Sequence, residues 1–184
     1  MTLNPKSELA QAISERKQRA AYSEAKRFLF MEIVIFVLSL VLIFTAIFGI
    51  CVQHGNDMYP AIKDGDIVLY YRIGKVVNTE AVVYEAEGKT RTGRIVASEG
   101  TDISSTGDYQ MTFDGNFLPI DRDSGIYTKT YAVEGELLPI TIEKGSYFIL
   151  CDNRDITNDS RSYGPINNKR IKGRIINIIR RRQL

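Results

Sequence analysis

The sequence predicts a mainly β domain, either a barrel or a folded sheet, preceded by one N-terminal transmembrane helix. Residues 33–52 form a single apolar segment without charge or proline. After Asp66 the helical period disappears, and short β-rich runs recur between Gly and Asp turns. The composition, 44% hydrophobic and 25% charged, is typical of a folded protein. These three observations predict an anchored domain of ordinary size.

Length and charge narrow the class of protein further. A chain of 184 residues accommodates one domain and a membrane anchor. A net charge of +2 is too balanced for a chain that binds nucleic acid along its length. One histidine and two distant cysteines provide no cluster of metal ligands, so we expect neither a metal nor another cofactor. A disulfide between Cys51 and Cys151 stays open, but two partly buried thiols are the simpler interpretation.

The first element is a basic leader over residues 1–30. It carries six Lys and Arg residues against three Glu residues. Such a net-positive flank is retained in the cytoplasm. Residues 8–27 are rich in helix formers, which predicts either a helix near the inner membrane surface or a solvated, partly frayed leader.

The second element is the apolar segment, which we assign to a transmembrane helix over residues 31–52. Twenty helical residues extend about 30 Å, the thickness of the hydrocarbon core of a bilayer. A cleaved signal peptide is the competing interpretation, but the run is too long and no Ala-x-Ala site follows. The sequence therefore predicts a single-pass protein of the cell membrane, with its N-terminus in the cytoplasm and its main domain outside the cell.

The third element is the β domain over residues 53–184. A good hairpin turn lies at Asp114-Gly115-Asn116. Isoleucine doublets at residues 175–176 and 178–179 are typical of a strand buried on both faces. Many short strands with such turns predict an all-β barrel or folded sheet. The predicted strands are residues 67–72, 81–85, 94–97, 109–113, 147–151 and 171–179.

Three segments carry motifs in a fixed order along the chain. Residues 55–68 read GNDMYPAIKDGDIV directly after the apolar segment. Residues 93–102 read GRIVASEGTD, and residues 147–164 read YFILCDNRDITNDSRSYG. Together they resemble the motifs of the membrane-bound type I signal peptidases, the peptidase S26 family. The third motif is the most specific of the three.

The resemblance implies a changed catalytic dyad. In that family a serine precedes the Met-x-Pro, and a buried lysine takes the proton of its hydroxyl. Here Asp57 stands at the serine position and Gly93 at the lysine position. A carboxylate is a poor attacking group for a peptide carbonyl, and glycine has no side chain. The resemblance therefore implies the scaffold of a peptidase without peptidase activity.

The resemblance also suggests roles for the neighbouring residues. Residues beside the changed dyad are candidates to line a groove that binds a partner: Asp57, Met58, Tyr59, Pro60 and Arg94. The third motif is expected to support the scaffold rather than catalysis, with an ion pair between Asp159 and Arg161. The scaffold residues are Asp152, Asn153, Arg154, Thr157, Asp159, Ser160 and Arg161.

Other side chains could replace the missing dyad, but none has a supporting motif. Lys89 lies near a turn and is expected in a solvated loop, and Lys63 and Lys144 are the other nearby cations. His54 lies three residues from Asp57, which suits an acid–base pair. We prefer to interpret His54 as a polar anchor at the membrane interface.

Three hypotheses of function follow. The chain most resembles the signal-peptidase-like proteins encoded beside Gram-positive pilus genes, which accompany pilin polymerisation by sortase. A groove of this kind would hold an extended segment of a pilin subunit or a pilus sortase by strand addition. The second hypothesis is an active signal peptidase or processing endopeptidase with a different dyad, and the third is a structural membrane protein without a groove function. The basic end, residues 180–182, fits either contact with anionic lipid or a solvated strand end.

Overall fold

The computed structural model describes residues 5–118, 129–133, 135 and 138–180. The chain forms two compact units, Met1–Ala46 and Ile47–Leu184. The first unit contains one long helix, and the second contains the strands. Arg181 and Arg182, at the basic end considered for lipid contact, lie outside the described residues.

Helix α1 runs over Pro5–Ile47, so the leader and most of the apolar segment form one continuous helix. Its part from Arg16 to Ile47 is long and apolar enough, by length and composition, to cross a membrane. The hydroxyl of Thr45 donates to the Val41 carbonyl at 3.0 Å. The helix therefore satisfies this polar group internally, as a lipid environment requires.

The helix ends five residues earlier than the predicted transmembrane helix of residues 31–52. Phe48–Val52 instead form strand β1, which pairs antiparallel with strand β2, Ile67–Tyr71, along its whole length. An apolar pattern alone does not distinguish the end of a helix from a short strand, and pairing with β2 decides between them. The β unit therefore begins at Ile47 rather than at residue 53.

Further strands and two short helices follow in chain order within the described residues. The strands are β3 (Ala81–Ala86), β4 (Lys89–Ser98), β5 (Asp102–Ser105), β6 (Met111–Phe113), β7 (Asn116–Phe117), β8 (Ile140–Thr141), β9 (Ser146–Leu150), β10 (Ile166–Asn167) and β11 (Ile171–Ile179). The helices are α2 (Ser160–Tyr163) and the 3-10 helix Asn168–Arg170.

The strands form two sheets. The larger has seven strands in the order β1-β2-β11-β3-β4-β9-β10, and the smaller has four in the order β7-β6-β5-β8. Each pairing between these strands is antiparallel. Strands of this length, joined without long helices, make a mainly β domain. The predicted fold class is confirmed.

Three apolar clusters form the core of the β unit. The first joins the two sheets and contains Ile103 of β5 and Phe148 of β9. The second packs β3, β4 and β9 together through side chains that include Tyr84 and Ile149. The third places Met58 against β2 and β3. Each large side chain of this kind contributes roughly 1.5–3 kcal/mol by leaving water.

The predicted hairpin turn after Phe113 is confirmed. Asp114 and Gly115 have φ angles of 51° and 76°, and strands β6 and β7 pair on either side of them. Two successive residues with positive φ make the type I′ turn that matches the twist of a hairpin. The β3–β4 hairpin uses the same geometry at Glu87 and Gly88, with φ angles of 51° and 70°.

Strand β11 is not buried on both faces, contrary to the prediction from its isoleucine doublets. Of its residues only Gly173 is buried, and Ile176 and Ile179 are 45% and 57% exposed. The pairing with β2 shifts register between Ile175 and Asn177, which leaves Ile176 as the extra residue of a bulge. The first doublet therefore reflects a bulge rather than two buried faces.

Candidate functional site

The three sequence motifs meet in the β unit. The backbone N–H of Asn153 donates to the carbonyl of Asp57 at 3.0 Å. The Arg94 guanidinium donates twice to the Asp152 carboxylate, at 2.7 Å in each case. Strands β4 and β9 pair from Arg94 onward. The prediction that the segments around Asp57, Gly93 and Asp152 converge is confirmed.

Asp57, at the position that the resemblance gives to the serine, is 9% exposed. Its carboxylate receives no hydrogen bond from any residue that the structure describes. Burial raises the pKa of this carboxyl, while the charge of Arg91 lowers that pKa and the charge of Asp159 raises it. The carboxylate is therefore partly removed from water without gaining donors from the protein.

A cavity of about 340 Å³ lies beside Asp57, between the end of β1 and the first half of β4. The hydroxyl of Thr92 donates to Oε1 of Gln53, which ties the end of β1 to β4. The side chain of Gln53 is buried, so this bond lies inside the protein. The lining residues are Cys51, Val52, Gln53, His54, Asp57, Lys89, Thr90, Arg91 and Thr92.

One wall of the cavity is an unpaired edge of β4. The first half of β4 pairs with β3 only, because β9 joins β4 from Arg94 onward. Ile95 directs both its N–H and its carbonyl to residues just before β3. Peptide groups alternate sides along an antiparallel strand, so those of Thr90 and Thr92 point away from β3. This edge has no strand beside it in the larger sheet.

The opposite wall is the outer edge of β1. The N–H of Gln53 donates to the Asp66 carbonyl at 2.8 Å, and its carbonyl accepts from the Gly65 N–H at 2.9 Å. Both bonds lie on the β2 side, so by alternation the peptide groups of Val52 point the other way. Two strand edges therefore border the cavity, and one extended segment could pair with both.

The position of Gly93 is filled by its neighbours. A Cβ atom built on Gly93 would lie 2.5 Å from Cγ2 of Ile149 and 3.1 Å from Cε1 of Tyr84. Ile149 and Tyr84 are fully buried core residues, so neither has free space to move into. The packing that surrounds Gly93 therefore leaves no room for the stem of a lysine.

The third motif forms a buried support. Asp159 and Arg161 have side-chain exposures of 0% and 2% and are joined by two hydrogen bonds of 2.9 and 2.8 Å. Asp159 also accepts from the N–H of Cys151 at 2.9 Å. Arg161 donates to the carbonyls of Arg154 and Ile156 at 2.8 and 2.6 Å. The predicted ion pair is present, and it fixes the chain on both sides of the loop between β9 and α2.

The other scaffold residues differ in their environments. Ser160 accepts a hydrogen bond from the N–H of Ile149 at 2.9 Å, which links α2 to β9. Arg154 is 3% exposed, and burial lowers its pKa to about 10, while its Nη1 donates to the Thr130 hydroxyl at 2.8 Å. Thr157 is exposed and does not line the cavity.

Of the five residues predicted to line a groove, Asp57 alone lines the cavity. The prediction is wrong for Met58, which is fully buried because its side chain fills the third core cluster. Arg94 lies outside this cavity as well, because its guanidinium is bound to the Asp152 carboxylate, and it lines a separate cavity beside the second half of β11. Tyr59 is 50% exposed and Pro60 is half-buried, and both lie outside the lining.

Sequence reasoning missed the residues that form most of the cavity. Gln53, Thr90, Arg91 and Thr92 all line it, and none belongs to a motif. Residues 89–92 alternate a cation with threonine, a β-branched residue that favours strands, and that signal could have extended β4 toward the turn. The unpaired edge itself depends on where β9 joins, which no local pattern encodes.

The cavity contains further nucleophilic and basic side chains, but they do not form a catalytic pair. Cys51 and His54 lie beside Asp57, and no hydrogen bond joins any two of them in the described part of the chain. Burial raises the pKa of the Cys51 thiol, the opposite of what an activated nucleophile requires. Cys51 and Cys151 are both free thiols. Of the three lysines considered as bases, Lys89 alone lines the cavity.

Comparison with known proteins agrees with the motifs. The family "Signal peptidase, peptidase S26" matches residues 26–179. Signal peptidase IB of Staphylococcus aureus (strain N315) is 26% identical over 140 residues, which cover 66% of this chain and 72% of that protein. Signal peptidase I of Bacillus licheniformis is 25% identical over 157 residues, which cover 77% and 81%.

Among solved structures, a signal peptidase I from Enterococcus faecalis V583 aligns with a TM-score of 0.43 and 18% identity. The alignment covers 57% of this chain and 99% of that one. The family match spans both the apolar helix and nearly all of the β unit. The chain therefore belongs to the signal peptidase family, peptidase S26.

Proposed function

We propose that the chain is a non-catalytic signal-peptidase homologue that acts as an accessory, chaperone-like factor in pilin polymerisation and pilus assembly. The packing around Gly93 carries the proposal. A side chain at this position would begin 2.5 Å from Cγ2 of Ile149, so the place of the general base is occupied by the core. Asp57 supports the same conclusion, because a carboxylate is a poor nucleophile toward a peptide carbonyl.

The cavity suits binding without cleavage. A peptide that enters between β1 and β4 in extended form would gain backbone hydrogen bonds from both strand edges. Backbone bonds of this kind require no nucleophile. A segment of a pilin subunit, of a pilus sortase, or of both is the partner that the family resemblance implies.

We place the protein in the cell membrane, with residues 1–27 in the cytoplasm and the β unit outside the cell. Because α1 ends at Ile47, the uncharged residues 33–47 make only about 22 Å of helix. A hydrocarbon core of about 30 Å then requires the span to begin near Phe28. Glu32 would lie about one turn inside this boundary, where its side chain, tilted toward the helix N-terminus, can reach the headgroups. Protease added to intact protoplasts should remove the β unit and spare the leader, and the opposite pattern would reject this topology.

An active signal peptidase or processing endopeptidase is the second candidate, because the curated relatives bear the name signal peptidase. It would need a pair other than Asp57 and Gly93. Cys51 and His54 are the cavity residues with suitable chemistry. A structural membrane protein without a groove function is the third candidate.

A cleavage assay separates the first two candidates. Full-length protein in lipid vesicles is incubated with a pre-pilin, and products are analysed by mass spectrometry, with a type I signal peptidase as the positive control. We expect no cleavage. Cleavage that disappears in Asp57→Ala or in Cys51→Ala would instead identify the protein as an enzyme.

Site-specific crosslinking in cells tests the groove. A photoreactive phenylalanine derivative at Val52 or Thr90 lies on one or the other strand edge, and the same derivative at Tyr109, which is 65% exposed and outside the cavity, is the control. We expect adducts with a pilin or the pilus sortase at the first two positions only. Equal crosslinking at Tyr109, or partner binding that survives changes in the groove, would favour the structural candidate.

A further inference from the structure

The cavity is lined by two groups of opposite charge, the carboxylate of the buried Asp57 and the guanidinium of the half-buried Arg91, that do not form an ion pair with each other. The Asp57 carboxylate has no hydrogen bond within the described residues, as noted above. The Arg91 side chain is 14% exposed, and its nearest carboxylate, that of Glu87, lies 3.9 Å away, beyond hydrogen-bond distance. Nε of Arg91 is buried without a partner in the described part of the chain.

Charged groups that are partly removed from water without gaining hydrogen bonds lose part of their solvation, so this arrangement requires an explanation. Arg161 is the contrasting case in the same unit, because its three guanidinium nitrogens all donate to acceptors. Asp57 and Arg91 both line one cavity. A ligand in that cavity can supply a donor to the carboxylate and an acceptor to the guanidinium.

Neighbouring side chains keep the two charges apart. The guanidinium of Arg91 lies over the ring of Tyr163, 5.1 Å from its centroid. The carboxylate of Glu87, in the turn of the β3–β4 hairpin, lies 3.9 Å from the same guanidinium. Such a cation–π contact orients the planar group. Arg91 and Asp57 nevertheless line the same cavity, and the charge of Arg91 lowers the pKa of the Asp57 carboxyl against the effect of burial.

We propose that Asp57 and Arg91 clamp one amide group, whose N–H donates to the carboxylate and whose carbonyl accepts from the guanidinium. A carboxylate only accepts hydrogen bonds and a guanidinium only donates them. An amide is a neutral group with one hydrogen-bond donor and one acceptor. A ligand carboxylate would be repelled by Asp57, and a ligand cation would be repelled by Arg91. The clamp rests on the proposed function in that the expected amide is a peptide bond of the bound segment, although a side-chain carboxamide offers the same chemistry.

The thiol of Cys51 lines the same cavity and allows a test without the natural ligand. Full-length protein is equilibrated with small disulfide probes and 2-mercaptoethanol, and the fraction of protein carrying each probe is measured by intact-mass spectrometry. The probes share a two-carbon spacer and end in an acetamide, an acetate ester, a primary carboxamide, a carboxylate or an ammonium group. Cys51→Ala establishes the site of labelling, and Val52→Cys, at a position 48% exposed, provides a second anchor.

We expect the acetamide adduct to exceed the ester adduct by about fivefold or more, since the ester lacks the N–H that bonds to a charged acceptor. Asp57→Ala should abolish this difference. Arg91→Met should lower both adducts, because it keeps the stem and removes the donors. Lys89→Met, which removes a neighbouring cation of the cavity, is the matched control and should change neither the acetamide adduct nor the ester adduct. Stronger labelling by the primary carboxamide than by the acetamide would assign the clamp to a side chain rather than to the backbone.

Three results would overturn the clamp: preference for the carboxylate probe, preference for the ammonium probe, or equal labelling by all probes from both anchors. The outcome is independent of the crosslinking experiment in cells. Crosslinks to a pilin without an amide preference would reject the clamp alone. An amide preference without crosslinks would reject the pilus role alone.

Discussion

Two acid–arginine combinations within one β unit contrast in how they are satisfied. Asp159 and Arg161 are nearly inaccessible, are joined by two hydrogen bonds, and also hold the backbone around them. Asp57 and Arg91 are less deeply buried and line a cavity, and Nε of Arg91 is buried without a hydrogen-bond partner in the described part of the chain. The difference predicts that the first pair contributes more to the stability of the fold, while the second remains open to the amide ligand that we propose.

The largest expected effect concerns the Asp159–Arg161 pair. Asp159→Asn leaves the Arg161 guanidinium buried without its counter-charge, so we expect a loss of roughly 3–5 kcal/mol in the free energy of unfolding. Urea unfolding of the full chain in detergent measures it. The control is Glu80→Gln, which breaks a surface pair with Arg174 and should cost less than about 1 kcal/mol. Equal losses in the two variants would contradict the contrast between the pairs.

A second effect tests the filled position of Gly93. Gly93→Ala should cost about 1–3 kcal/mol by overpacking the core. Ile149→Leu removes the Cγ2 branch that a new Cβ would meet, so the cost of Gly93→Ala should be smaller in that background. A double-mutant cycle on unfolding free energies measures this coupling. For the same reason, Asp57→Ser with Gly93→Lys should not restore cleavage of a signal peptide, and restored cleavage would show that the position is open.

A smaller effect is expected at the hydrogen bond that crosses the cavity. Thr92→Val keeps the shape of the side chain but leaves Oε1 of the buried Gln53 without its donor. We expect a loss of about 1–2 kcal/mol, between the losses for the two charged pairs. Thr90→Val, at an exposed position on the same strand, is the control. Similar losses of unfolding free energy in Thr92→Val and Thr90→Val would show that this hydrogen bond does not contribute specifically to stability.

The smallest effect concerns Asp57 and depends on pH. Burial raises its pKa in the folded state, so folding favours the protonated carboxyl. Its contribution to stability is complete below the unfolded pKa and is lost as the pH rises through the folded pKa. Asp57→Asn should therefore be the more stable protein at neutral pH, with the advantage shrinking toward acid pH. Thermal unfolding across pH 3–7 measures the trend, with Asp108→Asn as an exposed control. A wild-type protein that becomes more stable relative to Asp57→Asn as the pH rises would contradict it.

The sequence predicts local structure well where one residue type has one physical meaning. Asp114 and Gly115 predict a hairpin because both tolerate positive φ, and the structure has it there. The family resemblance of the third motif implies an ion pair between Asp159 and Arg161, and the structure contains it. The prediction is wrong at the isoleucine doublets of β11, because a bulge and a strand buried on both faces can have the same sequence pattern.

The candidate site is predicted only in part for a similar reason. Asp57 follows from its motif, and it does line the cavity. Arg91 belongs to no motif, and its role depends on Tyr163, which approaches from a segment about seventy residues away in the chain. Met58 is adjacent to Asp57 in sequence, but the strand–core packing turns its side chain inward.

The amino-acid sequence by itself determined the apolar helix, the mainly β class and the order of the three motifs. These properties follow from hydropathy, periodicity and residue chemistry, which act over a few neighbouring residues. Tertiary structure alone decided that the helix ends at Ile47, that Ile149 fills the place beside Gly93, and that β4 keeps an open edge facing β1. Each of these depends on strand register and close packing between distant segments, where a shift of one residue or a few tenths of an ångström changes the outcome.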